Sequence, residues 1–284
     1  HDNGVLGAAA IGRAEERRVQ LLKQAGFNAI RSAHNPISKA FLDACDRYGM
    51  VVMDELTDIW GVGKTDEDFS ALFPICWQTL CDRMVAKDYN HPSVVFYSIG
   101  NEIPETGTEQ GAQTARNLAE RLREQDGTRY IVNSLNAFLS VMPWIKEGME
   151  GKLGAEINET LSQLGDSMEG YMDLDLVTEH TKENFDVLDV CGYNYATNRY
   201  KMDGELFPNR VLMGSETFPK RIAGNWTEIL KYPHAIGDFT WTGWDYLGEA
   251  GLGKMEYKED GGDTTLAGSY PWLAGYCGDL DLLG

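Results

Sequence analysis

Two apolar runs of this chain end on a carboxylate: VVFYSIG (94–100) leads into Asn101 and Glu102, and VLMGS (211–215) leads into Glu216. An unpaired carboxylate at the end of a buried strand is costly, so such a residue is retained for a reason. Two of them facing each other across a pocket suit cleavage of a glycosidic bond. One protonates the leaving oxygen, and the other attacks the anomeric carbon to give a covalent glycosyl-enzyme. Glu102, following Asn101 at the tip of a buried strand, is the candidate acid/base, and a raised pKa is expected there. Glu216 is the candidate nucleophile, held ionised by the hydroxyl of Tyr195 if their strands are neighbours. A retaining enzyme of this kind places its carboxyl groups ~5–5.5 Å apart.

For these side chains to meet, the segments that carry them must belong to one sheet. Short β-rich runs occur at NAIRS (28–32), VVMDE (51–55), 94–100, RYIVNS (129–134), VLDVCGYN (187–194), VLMGSE (211–216) and GDFTWTGW (237–244). Helix-period segments separate them. RAEERRVQLLKQAG (13–26) closes on Gly26, and SKAFLDACDRYG (38–49) starts on a Ser cap and closes on Gly49; longer helices follow at 73–92 and 107–127. Strand and helix in alternation predict a parallel sheet with right-handed crossovers. No Gly-rich phosphate turn follows the first strand, which disfavours an open doubly wound sheet. The pattern therefore predicts an α/β fold, a (β/α)8 TIM barrel over residues 1–284 with its first strand expected before His1. On that count Glu102 ends the fourth strand and Glu216 the seventh. A helical insertion is expected around 144–173, with a Gly- and Asp-rich loop at 250–275.

Catalytic groups of such barrels gather at the C-terminal rim of the strands. The residues expected there are Arg31, His34, Asn35, Asp54, Glu55, Asn101, Glu102, Asn133, Asn136, Asn194, Tyr195, Glu216, Trp241, Trp244 and Asp245. Amides and carboxylates can meet sugar hydroxyls, and an indole face can meet the C–H side of a pyranose. A Ser–His nucleophile pair and a strand-end lysine are both missing from this set. His34 alone is more often a structural histidine, and Trp241 and Trp244 alone are more often core. Three apart on a strand, the two indoles should point to opposite faces, and Asp54 and Glu55 likewise cannot both face inward. Asp54 is as readily structural as functional.

The formal net charge of −19 argues against nucleic acid and anionic membrane surfaces. Five cysteines at irregular spacing make no zinc pattern and suggest reduced, buried thiols, hence a cytoplasmic setting. No stretch approaches the ~18 apolar residues of a membrane span.

Taken in order, GFNAIRSAHNP, VVMDE, NHPSVVFYSIGNE, DVCGYNY, VLMGSE and GDFTWTGWDYLGE resemble the catalytic barrel of glycoside hydrolase family 2, along nearly the whole chain. GYNY, GSET and WTGWDYLGE look most like the bacterial β-galactosidases of that family. The resemblance implies a retaining mechanism without a redox cofactor, acting on a β-galactoside or related glycan. It puts Glu102 on the acid/base position, Glu216 on the nucleophile and Tyr195 on the supporting tyrosine. His1, His34, Asn101 and Trp241 fall on positions lining the −1 sugar site, with Asp245 and Asp54 near it. Family β-glucuronidases carry an Asn-x-Lys pair for the sugar carboxylate, and no Asn-x-Lys occurs here. Metal-dependent members add a His shortly after the third strand; MDELTDIW has none nearby, so no required Mg²⁺ is expected. The resemblance also implies flanking β-sandwich domains, a first barrel strand and most of a last helix outside these residues. On that view the residues are one piece of a larger polypeptide, poorly soluble or inactive alone. A homo-oligomer is compatible with it.

Overall fold

Helix α1 (Gly12–Gln24) turns Val19 and Leu22 into the core. Strand β1 (Ala29–Arg31) follows, and then helix α2 (Lys39–Tyr48). Ser38 caps α2 by accepting from the Phe41 amide, and Gly49 ends it at φ +66°, a left-handed conformation that glycine adopts without steric penalty. The chain continues through β2 (Val51–Glu55), α3 (Phe73–Asp88), β3 (Val94–Asn101), α4 (Glu109–Gln125), β4 (Tyr130–Asn136) and α5 (Ala137–Gly148). Further along come α6 (Asp175–Phe185), β5 (Val190–Asn194), α7 (Arg199–Leu206), β6 (Leu212–Thr217), α8 (Ile222–Ile229) and β7 (Ala235–Thr240). A short antiparallel pair joins β8 (Tyr246–Leu247) to β9 (Ala274–Gly275). This computed structural model describes residues 6–148, 175–247, 274–275, 277–281 and 283–284. The 250–275 loop up to 273, most of the 144–173 insertion and His1 lie outside them.

The seven strands form one parallel sheet in sequential order, β1 to β7. It curls until β1 and β7 approach each other, so the fold is a nearly closed TIM barrel of the expected class. Among the described residues no ladder joins these two edge strands. A cavity of ≈ 130 Å³ lies between them, lined by Ala29 and Ile30 on one side and Asp238, Phe239 and Thr240 on the other.

Alternation of side chains along each strand sorts the interior into levels. The floor of the barrel is a small apolar cluster: Met53, Val132, Val190 and Met213, with Phe96 and Phe239 packed against it. Two residues further along, Glu55, Ser98 and Ser134 meet in the interior, Ser98 and Ser134 donating to Glu55 at 2.8 and 3.4 Å. The opposite faces of the strands supply Val52, Tyr97, Ile99 and Ile131 to the larger core under the helices.

Two expectations need correcting. Strand β7 stops at Thr240, four residues short of the expected 244. Trp241 and Trp244 therefore diverge because the chain turns, not because they alternate on a strand; Trp244 enters the core at 9 % exposure, while Trp241 stays at the rim. Asp54 faces the helix layer. Its fully buried carboxylate accepts from Ser32 Oγ at 2.7 Å, the Ile37 amide at 2.9 Å and Lys87 Nζ on α3 at 2.8 Å. It ties β2 to its neighbours and is not a pocket residue. Glu55, the next residue, points inward as the alternation requires.

Candidate active site

Strand ends bring the acidic pair together. Glu102 directly follows β3, and Glu216 sits one residue before the end of β6. Asn194, the last residue of β5, lies between them. Its amide nitrogen is 3.1 Å from Glu102 Oε1 and 3.2 Å from Glu216 Oε2. Those two contacts put one oxygen of each carboxylate within about 6 Å of the other, compatible with the ~5–5.5 Å spacing of carboxyl groups at which one of them attacks directly. Ser215 Oγ donates to Asn194 Oδ1 at 2.8 Å, which fixes which end of the amide faces the acids.

The two carboxylates have different partners. Glu216 accepts from the Tyr195 hydroxyl at 2.5 Å and from Arg31 at 2.8 Å. Glu102 accepts from the amides of Asn136 at 2.9 Å and Asn194. Arg31, at the end of β1, is buried and also donates to both oxygens of Glu55 and, at 2.6 Å, to Asn101 Oδ1. Asn101 Nδ2 donates to Asp58 at 2.8 Å. His34 Nδ1 lies 2.9 Å from Glu55 Oε1, and the ring stacks on Trp241 with centroids 4.8 Å apart and planes within 5°. Glu102 and Tyr195 have φ of +46° and +58°. Both follow strand ends directly, and left-handed backbone at residues with a Cβ is strain that functional sites commonly carry.

Residues 7–147 match the model of the TIM barrel domain of glycosyl hydrolases family 2. A crystal structure of a glycosyl hydrolase family 2 member from Bacteroides cellulosilyticus superposes with a TM-score of 0.78 at 37% identity, over 99% of this chain and 31% of that one. The chain belongs to glycosyl hydrolase family 2. Beta-galactosidase BoGH2A of Bacteroides ovatus is 45% identical over 114 residues, 40% of this chain and 13% of that protein. Beta-glucuronidase of Sus scrofa is 36% identical over 110 residues, 38% of this chain and 16% of that protein. The chain thus spans about an eighth of the first of these relatives and a sixth of the second.

Charge in this family 2 site is unbalanced. One guanidinium serves both Glu55 and Glu216, with Glu102 close by. Burial, followed by the charge of Glu102, pushes Glu216 up to about 7 against the pull of Arg31 and Tyr195. The sequence led us to expect a raised pKa at Glu102 and a firmly ionised Glu216. Glu216 is raised rather than firmly ionised, because it is buried beside the charge of Glu102. Burial also raises Glu55 despite Arg31. Burial and Arg31 together lower His34 well below its usual range, and its Nδ1 lies within hydrogen-bond reach of Glu55. Burial, then the Glu216 charge, keeps the Tyr195 phenol protonated and able to donate.

Of the residues expected at the sugar, His34, Asn101, Tyr195 and Trp241 converge with the acidic pair. Asp245 does not. It accepts from the Gly278 amide at 2.8 Å while its own amide donates to Leu280, so it holds the C-terminal residues in place. His1 is outside the described residues. Sequence reasoning placed Arg31, Glu55 and Asn194 at strand ends but gave them no role, since one carboxylate or amide at a strand tip looks like any other. Asp58 and Lys64, which donates to Asp58 at 2.7 Å and to the Asn101 carbonyl at 3.0 Å, were missed, because they lie in a loop with no periodicity.

Proposed function

We propose that the chain carries the catalytic centre of a retaining exo-β-glycosidase, with a terminal β-D-galactosyl residue as substrate. Glu216 is the nucleophile and Glu102 the acid/base. The observation that carries this reading is Asn194, whose single amide touches both carboxylates and brings an oxygen of each within about 6 Å of the other, compatible with the short spacing that direct attack on the anomeric carbon needs. Partner chemistry supports the roles. Arg31 and Tyr195 donate to Glu216 and favour its anion, whereas neutral amides leave Glu102 free to take and return a proton.

In the first step Glu216 attacks the anomeric carbon, and the proton of Glu102 passes to the departing oxygen. In the second, Glu102 takes a proton from water as that water displaces Glu216, restoring both groups. Asn101, His34 and the face of Trp241 hold the sugar. The galactoside assignment draws on the likeness to Beta-galactosidase BoGH2A and on the absence of any Asn-x-Lys sequence. No redox cofactor is needed for either step.

A panel of nitrophenyl β-glycosides tests the substrate, and NMR of the first product tests the stereochemistry. Galactoside turnover with initial release of β-galactose is expected. Turnover of the glucuronide alone, or α-product first, overturns the reading. Glu216→Gln should lower kcat by at least ~10⁴-fold with the fold intact, whereas a non-catalytic sugar-binding barrel would bind its ligand as before.

A further inference from the structure

The loop after β2 is tied to the chain around Glu102 by side-chain bonds in both directions. Trp60 Nε1 donates to the Ile99 carbonyl at 3.0 Å. Glu105 Oε1 accepts from the amides of Gly61 and Val62 at 2.8 and 3.1 Å. Asn101 Nδ2 donates to Asp58 Oδ1, which also accepts from Lys64 Nζ at 2.7 Å. Lys64 Nζ in turn donates to the Asn101 carbonyl at 3.0 Å.

That carbonyl belongs to the peptide joining Asn101 to Glu102. The N–H of the same peptide donates to the Ser134 carbonyl at 2.8 Å. The peptide plane is therefore gripped on both sides, immediately before a residue whose φ of +46° is unfavourable for a side chain with a Cβ. Lys64 is placed for this by its own loop: Asp68 accepts from the amides of Lys64 and Thr65 with one oxygen and from Ser70 with the other.

We infer that Lys64, with Asp58, is a positioning residue for the reaction: it holds the Asn101–Glu102 peptide so that the Glu102 carboxyl points at the leaving oxygen. This rests on the reading of Glu102 as the acid. Without Lys64 the peptide can rotate to relieve φ, and the proton is delivered from the wrong place. The loss then depends on how much the leaving group needs that proton.

The test compares methyl β-galactoside, whose leaving alkoxide needs a proton, with 2,4-dinitrophenyl β-galactoside, whose phenolate does not. In the full chain, Lys64→Met should lower kcat/KM on the methyl glycoside at least ~10-fold more than on the dinitrophenyl glycoside. Lys64→Arg should recover most of the difference. Lys64→Met/Asp58→Asn, which leaves no uncompensated charge, should retain the defect. Equal losses on both substrates, or no loss, overturn the inference and leave the assignment of Glu102 standing. In the longer polypeptide that carries this barrel, loss of activity in Glu102→Gln that is equal on the two substrates overturns the underlying assignment of Glu102 as well.

Discussion

Glu216 shares its pocket with Glu102 and titrates in the field of that neighbour. With Glu216 as the proposed nucleophile, inactivation by a 2-deoxy-2-fluoro galactoside with a dinitrophenolate leaving group would require ionised Glu216 but no acid. Its rate should rise with pH and reach half its maximum near 7, the value to which burial and Glu102 push Glu216. Glu102→Gln removes the neighbouring charge, so the midpoint should move to lower pH; an unmoved midpoint would show that burial alone sets it. Asn194→Ala removes the amide that touches both acids, and kcat should fall by ~10²-fold, as for other single donors aimed at reacting charge. The pair was legible at this scale because each acid ends an apolar run. That Glu216 is raised was not, because that depends on burial, on Glu102 and on a cation carried 185 residues away on β1.

Elements place these residues, and two of them depend on single side chains. Ser38→Ala removes the hydroxyl that receives the Phe41 amide at the start of α2, and should cost about 1 kcal/mol in urea unfolding. Lys87→Met leaves the buried carboxyl group of Asp54 without its cation, and a loss of about 3 kcal/mol is expected. If Asp54 were instead a pocket residue, Asp54→Asn would impair turnover more than stability; here stability should bear the larger effect. Strand and helix positions were readable from periodicity and caps. The end of β7 was not, since apolar WTGW continues the strand pattern while its backbone leaves the sheet at Trp241.

Across the whole molecule, buried carboxyls govern how stability varies with pH. Asp88 is pushed up to about 8 by burial and Asp54, Glu216 to about 7, and Asp238 to about 6 by burial. The native state holds protons at these positions that the unfolded chain has released by about pH 5, so stability falls as pH rises from 5 to 8. Asp46 and Asp126 are shifted the other way. Burial opposes that shift in both, and hydrogen bonds to Ser93 and Thr128 outweigh it; the stability they contribute is lost only below about pH 4. The melting temperature should therefore peak near pH 5, and Asp88→Asn should flatten its decline toward pH 8. A peak above pH 7 in a buffer series would contradict this account.

The order of strands, the parallel barrel and the two acidic tips follow from the amino-acid pattern alone, because side-chain alternation and helix caps are local and repeat along the chain. Family membership followed from the same motifs. Only the tertiary structure decided that Asp54 serves the helix layer, that Asp245 binds the chain's end, and that Arg31, Asn194 and Lys64 bridge to the acids. Those outcomes arise when separate strand ends and loops are folded onto one rim, where distance and burial, not sequence spacing, determine which charge meets which.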